Sequence, residues 1–319
     1  MAGMNHLTDQ SVEDVLRLEL AEGDAMIGTL GPILRHLLAS DGLSLFSDET
    51  VARVRGMGAS IALQLLHAQA DAAGIENPED YVAERIEELC DALLGQSALV
   101  SHLHALAMEW QLADRLHMRS GLDPVLSPLL QALIGSPDAE TASSAMATLA
   151  AQARFVQGLR RMELNLNELP GELFHSVLLT MCALADVDSE EAVRKADAAF
   201  RSDFDESRSR LGLLSRLVTG MGGGAIAALS VSHAGVAMFL TALAVGSGQQ
   251  RDLAVLSTHE RQLARLALSL RSAGLKPSAV DEQLLYLHPD VTLPEGFDQL
   301  RSDRAAALLA GSTPLASDV

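Results

Sequence analysis

A short apolar phrase occurs three times in this chain, and a turn signal and a long Ala-rich stretch follow each copy. The copies lie at 30–38, 126–134 and 236–245. The first two share the pattern Leu-x-Pro-x-Leu-x-x-Leu, whereas the third is looser. A repeated helical unit predicts an array of stacked helices, and such arrays present surfaces to partners more often than they house chemistry.

The composition favours helix along the whole chain. Of the 319 residues, 48% are hydrophobic but only 3% are aromatic, so Leu, Ala, Val, Ile and Met must build the core. Long stretches are poor in β-branched residues and rich in residues of high helix propensity. We therefore expect an all-α fold, arranged as a HEAT-like α-solenoid of about 12–15 helices.

The repeats divide the chain into three expected units. These are an N-terminal helical unit at 1–121, a central repeat unit at 122–219 and a C-terminal repeat unit at 220–311, followed by a disordered tail at 312–319. In each unit a short apolar helix, a long helix and a turn precede a helix that starts at Pro. Chance similarity among Ala/Leu-rich helices is the alternative.

Cap residues and glycines predict where the helices begin and end. Ser, Asp and Asn favour helix starts, and Gly favours the residue just past a helix end. The expected helices lie near 10–20, 24–39, 48–73, 78–94, 97–119, 124–134, 138–161, 170–185, 190–200, 205–219, 225–231, 233–245, 250–273, 277–287 and 297–310.

Three stretches resemble a known family. They are Gln-Ala-Arg-Phe-Val-Gln-Gly-Leu-Arg-Arg-Met at 152–162, Glu-Leu-Pro-Gly-Glu-Leu-Phe-His at 168–175 and Arg-Gln-Leu-Ala-Arg-Leu-Ala-Leu at 261–268. Over about 100–310, the chain resembles an uncharacterised helical domain-of-unknown-function family of alphaproteobacteria, which is similar to HEAT-like repeat proteins. The resemblance implies a bacterial cytoplasmic helical protein. It implies no activity, so no functional residue is transferred.

The charge argues against polyanionic partners. The formal net charge is −19, and a nucleic-acid-binding protein needs a basic face that displaces counterions. We therefore expect no binding to nucleic acid or to an anionic membrane, although Arg154, Arg160 and Arg161 form a small basic group.

The two cysteines, Cys90 and Cys182, lack metal spacing and suit a reducing compartment. With no secretory signal near residue 1, the expected location is the cytoplasm.

An uncharged segment at 217–250 admits two interpretations. It contains no Asp, Glu, Lys or Arg and is long enough to span a membrane. However, Gly, Ser and His interrupt it, and Ala gives little insertion energy. We expect two short buried helices that join at Ser230–Ser232, with membrane insertion as the alternative. The glycines at 220–224 lack the preceding strand and the Lys of a phosphate-binding loop.

One predicted helix carries several polar residues that titrate or ligate metals: His102, His104, Glu109, Asp114 and His117. His102 and His104 are about 200° apart around the helix, so they cannot chelate one ion. The spacing also differs from the Glu-x-x-His pattern of di-metal bundles. We expect solvated or inter-helix hydrogen-bonded side chains, and we assign no metal site.

Two histidines are candidate phosphoacceptors. His259 precedes Glu260 near the start of the expected helix 250–273, and His36 follows Arg35. Neither has the flanking residues typical of a phosphotransfer helix, and in the alternative interpretation both are surface histidines. Motifs of serine hydrolases, zinc proteases and redox pairs are missing from the sequence, so we assign no catalytic or cofactor-binding residue and expect no enzyme.

The first functional hypothesis is a scaffold or adaptor that binds a protein partner of unknown identity, with a homodimer as a further expectation. A bacterial signalling phosphotransfer or regulatory domain that uses His259 or His36 is one alternative. An apolar small molecule or lipid that binds between the helices of 217–250 is the other. The sequence identifies neither the partner nor the ligand.

Overall fold

The computed structural model describes residues 11–39, 48–186 and 189–312. Over these residues the fold is all-α and contains no strand, which confirms the predicted helical array. The α-helices are α1 Val12–Ala39, α2 Asp48–Ala73, α3 Pro78–Leu94, α4 Ser97–Ser120, α5 Pro128–Ile134, α6 Ala139–Arg160, α7 Gly171–Ala183, α8 Glu190–Asp203, α9 Arg210–Gly220, α10 Val231–Ser247, α11 Arg251–Leu256, α12 Leu263–Ser272, α13 Pro277–Leu287 and α14 Ser302–Ala310. Short 3₁₀ helices span Leu166–Glu168, Glu206–Arg208, Gly222–Leu229, Glu260–Gln262 and Phe297–Gln299.

Local signals fix several helix ends. The Ser127 hydroxyl accepts a hydrogen bond from the Leu130 N–H at 3.2 Å, and the Asp138 carboxylate accepts one from the Thr141 N–H at 2.9 Å. Both satisfy donors that a helix start leaves unpaired. Gly121 follows α4 with φ +69°, the left-handed conformation that glycine adopts without steric cost.

Helix α1 differs from the prediction of separate helices at 10–20 and 24–39. It continues from Val12 to Ala39, with Gly23 and Pro32 inside it. Gly23 lies where α1 meets the Gln262 side chain, and a Cβ at this position would lie 2.6 Å from Gln262 Oε1. The predicted break was therefore wrong: the helix continues through Gly23, where the missing side chain leaves room for Gln262.

The expected helix 250–273 is interrupted, so that part of the prediction was wrong. Helix α11 ends at Leu256, and α12 begins at Leu263 after a turn and the Glu260–Gln262 3₁₀ helix. The hydroxyls of Ser257 and Thr258 bond back to carbonyls three residues earlier, at 2.7 Å each. These side chains compete with the regular helical pattern, as Ser and Thr often do.

The segment 217–250 begins with the last residues of α9 and then forms two elements that join at Ser230, close to the predicted position. The first is the 3₁₀ helix Gly222–Leu229, in which only Ala228 and Leu229 are buried. The second is α10, whose apolar residues are largely buried. The prediction of two helices is confirmed, but burial is confined mainly to α10.

The second and third copies of the repeated phrase contact each other. The second copy begins beside Ser127, the cap of α5, and the third begins after a kink at Gly235 inside α10. A Cβ on Gly235 would lie 2.9 Å from Ser127 Cβ, so the two starting points touch. The first copy lies inside the continuous helix α1 and does not start a helix of its own.

The buried apolar residues form two clusters that cross the three expected units. The first cluster joins the start of α1 and the end of α4 to α9, α10, α12, α13 and α14. The second joins the start of α4 to α2, α3, α7 and the end of α6. Leu16 of α1 belongs to the first and Leu34 to the second, so one helix links both. The unit boundaries at 121 and 219 stay a prediction.

Helix packing includes long-range pairs. Helix α4 packs against α11 and α2, and α1 packs against α4 and α12. In a solenoid each repeat contacts its neighbours alone. HEAT-like stacking stays a prediction, while these contacts place α4 against both early and late elements.

The expected disordered tail at 312–319 is described only at its first residue. Ser312 accepts a hydrogen bond from Arg265 Nη2 at 2.7 Å, and residues 313–319 lie outside the described residues.

Candidate functional site

A buried group of three charged side chains lies where α4, α9 and α11 meet. Glu109 of α4 is 2% exposed, and Arg210 of α9 is 1% exposed. The guanidinium of Arg210 donates to both oxygens of Glu109, at 2.8 and 3.1 Å. Arg251 of α11 donates to the same two oxygens, each at 2.9 Å. We call Glu109, Arg210 and Arg251 the triad.

Surrounding residues hold Arg210 in place. Its guanidinium carbon lies 3.5 Å from the ring centroid of Phe155, a distance at which a cation and an aromatic face attract. Its Nη1 also lies 3.3 Å from Gln152 Oε1, and its backbone N–H donates to Glu168 Oε2 at 2.7 Å. Arg210 is thus enclosed by protein and cannot reach a ligand.

The triad carries one more positive charge than negative. Burial alone raises the pKa of the Glu109 carboxyl, but the charges of Arg210 and Arg251 outweigh this effect and hold the pKa far below its usual range. Glu109 is therefore ionised at neutral pH, and the two guanidiniums leave a net charge of about +1. Removing such charges from water is costly unless they are paired and hydrogen-bonded, as they are here.

Arg251 connects the triad to the surface. Its side chain is 13% exposed and lines an open cleft of about 1020 Å³ between α9 and α10. Its Nε donates to Thr241 Oγ1 at 3.3 Å. Arg251 is the member of the triad that a molecule in the cleft can contact.

The cleft has apolar walls and charged groups at its edge. We call it the α9–α10 cleft. Leu211 and Gly212 of α9 form one wall, and Ala244 and Val245 of α10 form the other. Val245 is 49% exposed, and its side chain faces water.

The charges at the edge of the cleft are those of Arg216 and Glu206, both exposed. They have opposite signs, and water screens exposed charges more strongly than buried ones. Arg251 is the least exposed of the charged residues that line the cleft.

A second polar pair lies two turns away on α4. His102, 2% exposed, has its Nδ1 2.8 Å from Asp252 Oδ2, so α11 presents Arg251 to Glu109 and Asp252 to His102. The Nε2 atom of His102 is buried and has no hydrogen-bond partner within the described part of the chain. Burial also lowers the pKa of His104 to about 4, with a smaller contribution from His259.

The predicted polar set on α4 does not come together as one site. His102 and Glu109 bond to other helices, as the inter-helix interpretation expected. Nδ1 of His117 contacts the Leu122 carbonyl at 3.2 Å. Within 11–39, 48–186 and 189–312, no three His, Cys, Asp or Glu side chains form a group that could hold a metal ion.

The two candidate phosphoacceptors lie in different settings. His259 is exposed but lies in the turn before the Glu260–Gln262 3₁₀ helix, where its Nδ1 accepts a hydrogen bond from the Arg261 N–H at 3.3 Å. Burial of part of its ring lowers its pKa. His36 lies in α1, and its side chain is outside the described residues. The phosphotransfer hypothesis stays a prediction.

Arg210 and Arg251 are site residues that the sequence did not predict. Both follow a Ser or Gln at a helix start, a setting in which an arginine is usually solvated, and neither belongs to a motif. One signal was present. Arg251 is the first charged residue after the uncharged segment 217–250, so it adjoins apolar helices on its N-terminal side.

Membrane-spanning potential is restricted to one bent pair among the described helices. No single helix there is both long and apolar enough to cross a bilayer. Helix α9 and the 3₁₀ helix Gly222–Leu229 meet the length and composition criteria together, but they are bent by 116°.

Comparison of the chain with protein-family models, with curated proteins and with solved structures finds no match.

Proposed function

We propose that this protein binds an apolar small molecule in the α9–α10 cleft and does not act as an enzyme. The observation that carries this proposal is the open cleft of about 1020 Å³, whose walls come from α9 and from the end of the uncharged segment 217–250. Small-molecule sites are concave and mostly apolar, with a few placed polar groups, and have volumes of roughly 300–1,000 Å³. Arg251 and Thr241 are such polar groups.

The proposal is tested with a simple amphiphile and two matched variants. We expect dodecan-1-ol to bind the full chain at one site in isothermal titration calorimetry. Val245→Asp places a charge on the wall of the cleft and should weaken binding at least tenfold. Leu179→Asp is the control, because Leu179 of α7 is 52% exposed and does not line the cleft. Equal weakening by both variants, or no binding, contradicts the proposal.

A protein partner is the second candidate, since the cleft is an open groove and a groove between helices also fits an apolar segment of another chain. If the ligand is a protein, this chain is a HEAT-like bacterial scaffold, as the family resemblance implies. A second copy of this chain, which would form a homodimer, is one candidate partner. A photo-crosslinking residue at position 245 should capture one defined protein, whereas the same residue at position 179 should not. Capture from both positions argues against this candidate.

We place either function in the cytoplasm. Cys90 and Cys182 are both free, and Cys182 is exposed. Exposed unpaired thiols persist in a reducing compartment. Fractionation of cells that produce the full chain tests this location.

A further inference from the structure

We infer that the ligand of the α9–α10 cleft is an amphipathic carboxylate, a free acid with one alkyl chain, whose carboxylate binds Arg251. The inference rests on the proposed function, because it names the ligand class of the same cleft. It adds a charge requirement that an apolar cleft alone does not impose.

The hydrogen-bonding capacity of Arg251 supports a ligand contact. A guanidinium has five N–H donors. Three of those on Arg251 are used, two by Glu109 and one by Thr241 Oγ1. Among the described residues, the other two donors have no acceptor, while the side chain lines the cleft. These two donors lie on opposite edges of the guanidinium, so a carboxylate in the cleft can accept a charge-assisted hydrogen bond from one of them.

The charge balance of the triad supports an anion in particular. Glu109 already accepts four hydrogen bonds from the two guanidiniums, so it has no remaining capacity to neutralise them. Arg210 is enclosed, and the excess positive charge is therefore accessible only at Arg251. One bound carboxylate, together with that of Glu109, would balance the two positive charges of Arg210 and Arg251.

The walls determine the remainder of the ligand. Leu211, Ala244 and Val245 offer apolar surface beside Arg251, which suits an alkyl chain attached to the anionic group. The chain as a whole is strongly acidic, with a net charge of −19, and repels anions that lack a specific site. Binding of a carboxylate by this protein thus requires a local cation such as Arg251.

The experiment compares three ligands that differ in the head group. Dodecanoate and dodecan-1-ol are titrated into the full chain at pH 7.5, below their aggregation limits. We expect dodecanoate to bind at least tenfold more tightly. Dodecyltrimethylammonium, which has the same chain and a positive charge, should bind more weakly than the alcohol. Equal affinity for the acid and the alcohol overturns the carboxylate assignment and leaves the proposed function intact.

Two arginine variants locate the charge. Arg251→Gln should reduce the preference for dodecanoate over dodecan-1-ol to less than twofold. Arg160→Gln is the matched control, because Arg160 is an exposed arginine that does not line the cleft, and the preference should persist. If the preference persists in Arg251→Gln, the inference is wrong.

A further variant covers the case in which Arg251→Gln does not fold. Val245→Trp places a bulky ring on the wall of the cleft and leaves the triad intact, so both alkyl ligands should bind at least tenfold more weakly. If dodecanoate binds Val245→Trp as tightly as the unmodified chain, it binds elsewhere, and both the inference and the proposed function fail.

Discussion

Removing the charge of Glu109 should destabilise the fold severely. Glu109→Gln keeps the size of the side chain but leaves Arg210 and Arg251 without a counter-charge. One oxygen remains and accepts from Arg210 Nη1 and Arg251 Nη2, as Oε1 does now at 2.8 and 2.9 Å. The new NH₂ group is a donor and faces the two donors that now bind Oε2.

The expected loss follows from these two broken bonds. Hydrogen bonds to charged groups contribute about 1.5–3 kcal/mol each, so losing two costs about 3–6 kcal/mol. This range agrees with the roughly 3–5 kcal/mol that breaking a buried ion pair costs. We therefore expect the free energy of unfolding to fall by about 4 kcal/mol. Urea unfolding at pH 7, followed by circular dichroism at 222 nm, measures it.

Two further proteins make this experiment specific. Glu191→Gln is the control, because Glu191 forms an exposed ion pair with Arg194 at 2.7 Å and its loss should leave stability unchanged. The triple variant Glu109→Leu/Arg210→Met/Arg251→Met should recover most of the lost stability, because apolar groups can replace a buried charge cluster. A loss below about 1 kcal/mol in Glu109→Gln would refute the assigned energetic role of the triad.

Three other predictions concern stability. Because burial lowers the pKa of His104 to about 4 from an unfolded value near 6.5, its neutral form stabilises the fold above pH 6.5, and this contribution is lost as the pH falls towards 4. Urea unfolding should show a loss of about 2 kcal/mol between pH 7 and 5 that is missing in His104→Leu, and identical pH profiles would contradict this. Gly235→Ala should cost about 3 kcal/mol of stability, because Gly235 has φ +72° and ψ +162° and lies against Ser127. Gly248→Ala is the control and should cost about 1 kcal/mol, because Gly248 has φ +69° but open space around it. Equal shifts of the two variants in thermal denaturation would argue against the Ser127 contact. Gln283→Ala should cost about 1–3 kcal/mol of stability in the same urea assay, because Gln283 Oε1 accepts a hydrogen bond from the Val231 N–H at the start of α10, at 2.9 Å. Gln250→Ala is the control and should be neutral, because the Gln250 side chain is exposed and caps no N–H group.

The sequence determined the fold class and most helix positions. Propensity and caps act locally, and Pro78 and Pro277 lie at helix starts in the structure, as predicted, whereas the helix expected at 124–134 begins only at Pro128, after its cap Ser127. Boundaries failed where tertiary contacts overrode the local signal. The helices expected at 10–20 and 24–39 form the single helix α1, which meets the Gln262 side chain at Gly23.

The candidate site was only partly predictable. The alternative of a ligand between the helices of 217–250 named one wall of the cleft, and Glu109 was named among the polar residues of its helix. The partners of Glu109 are 101 and 142 residues away in the chain, and no local pattern connects such positions.

The sequence alone therefore determined that this protein is built from helices and roughly where they lie, because helix formation depends on neighbouring residues. Only the tertiary structure decided that α4, α9 and α11 bring Glu109, Arg210 and Arg251 together and leave Arg251 at a cleft. Buried charges need partners from any part of the chain, and the packing of distant helices selects those partners.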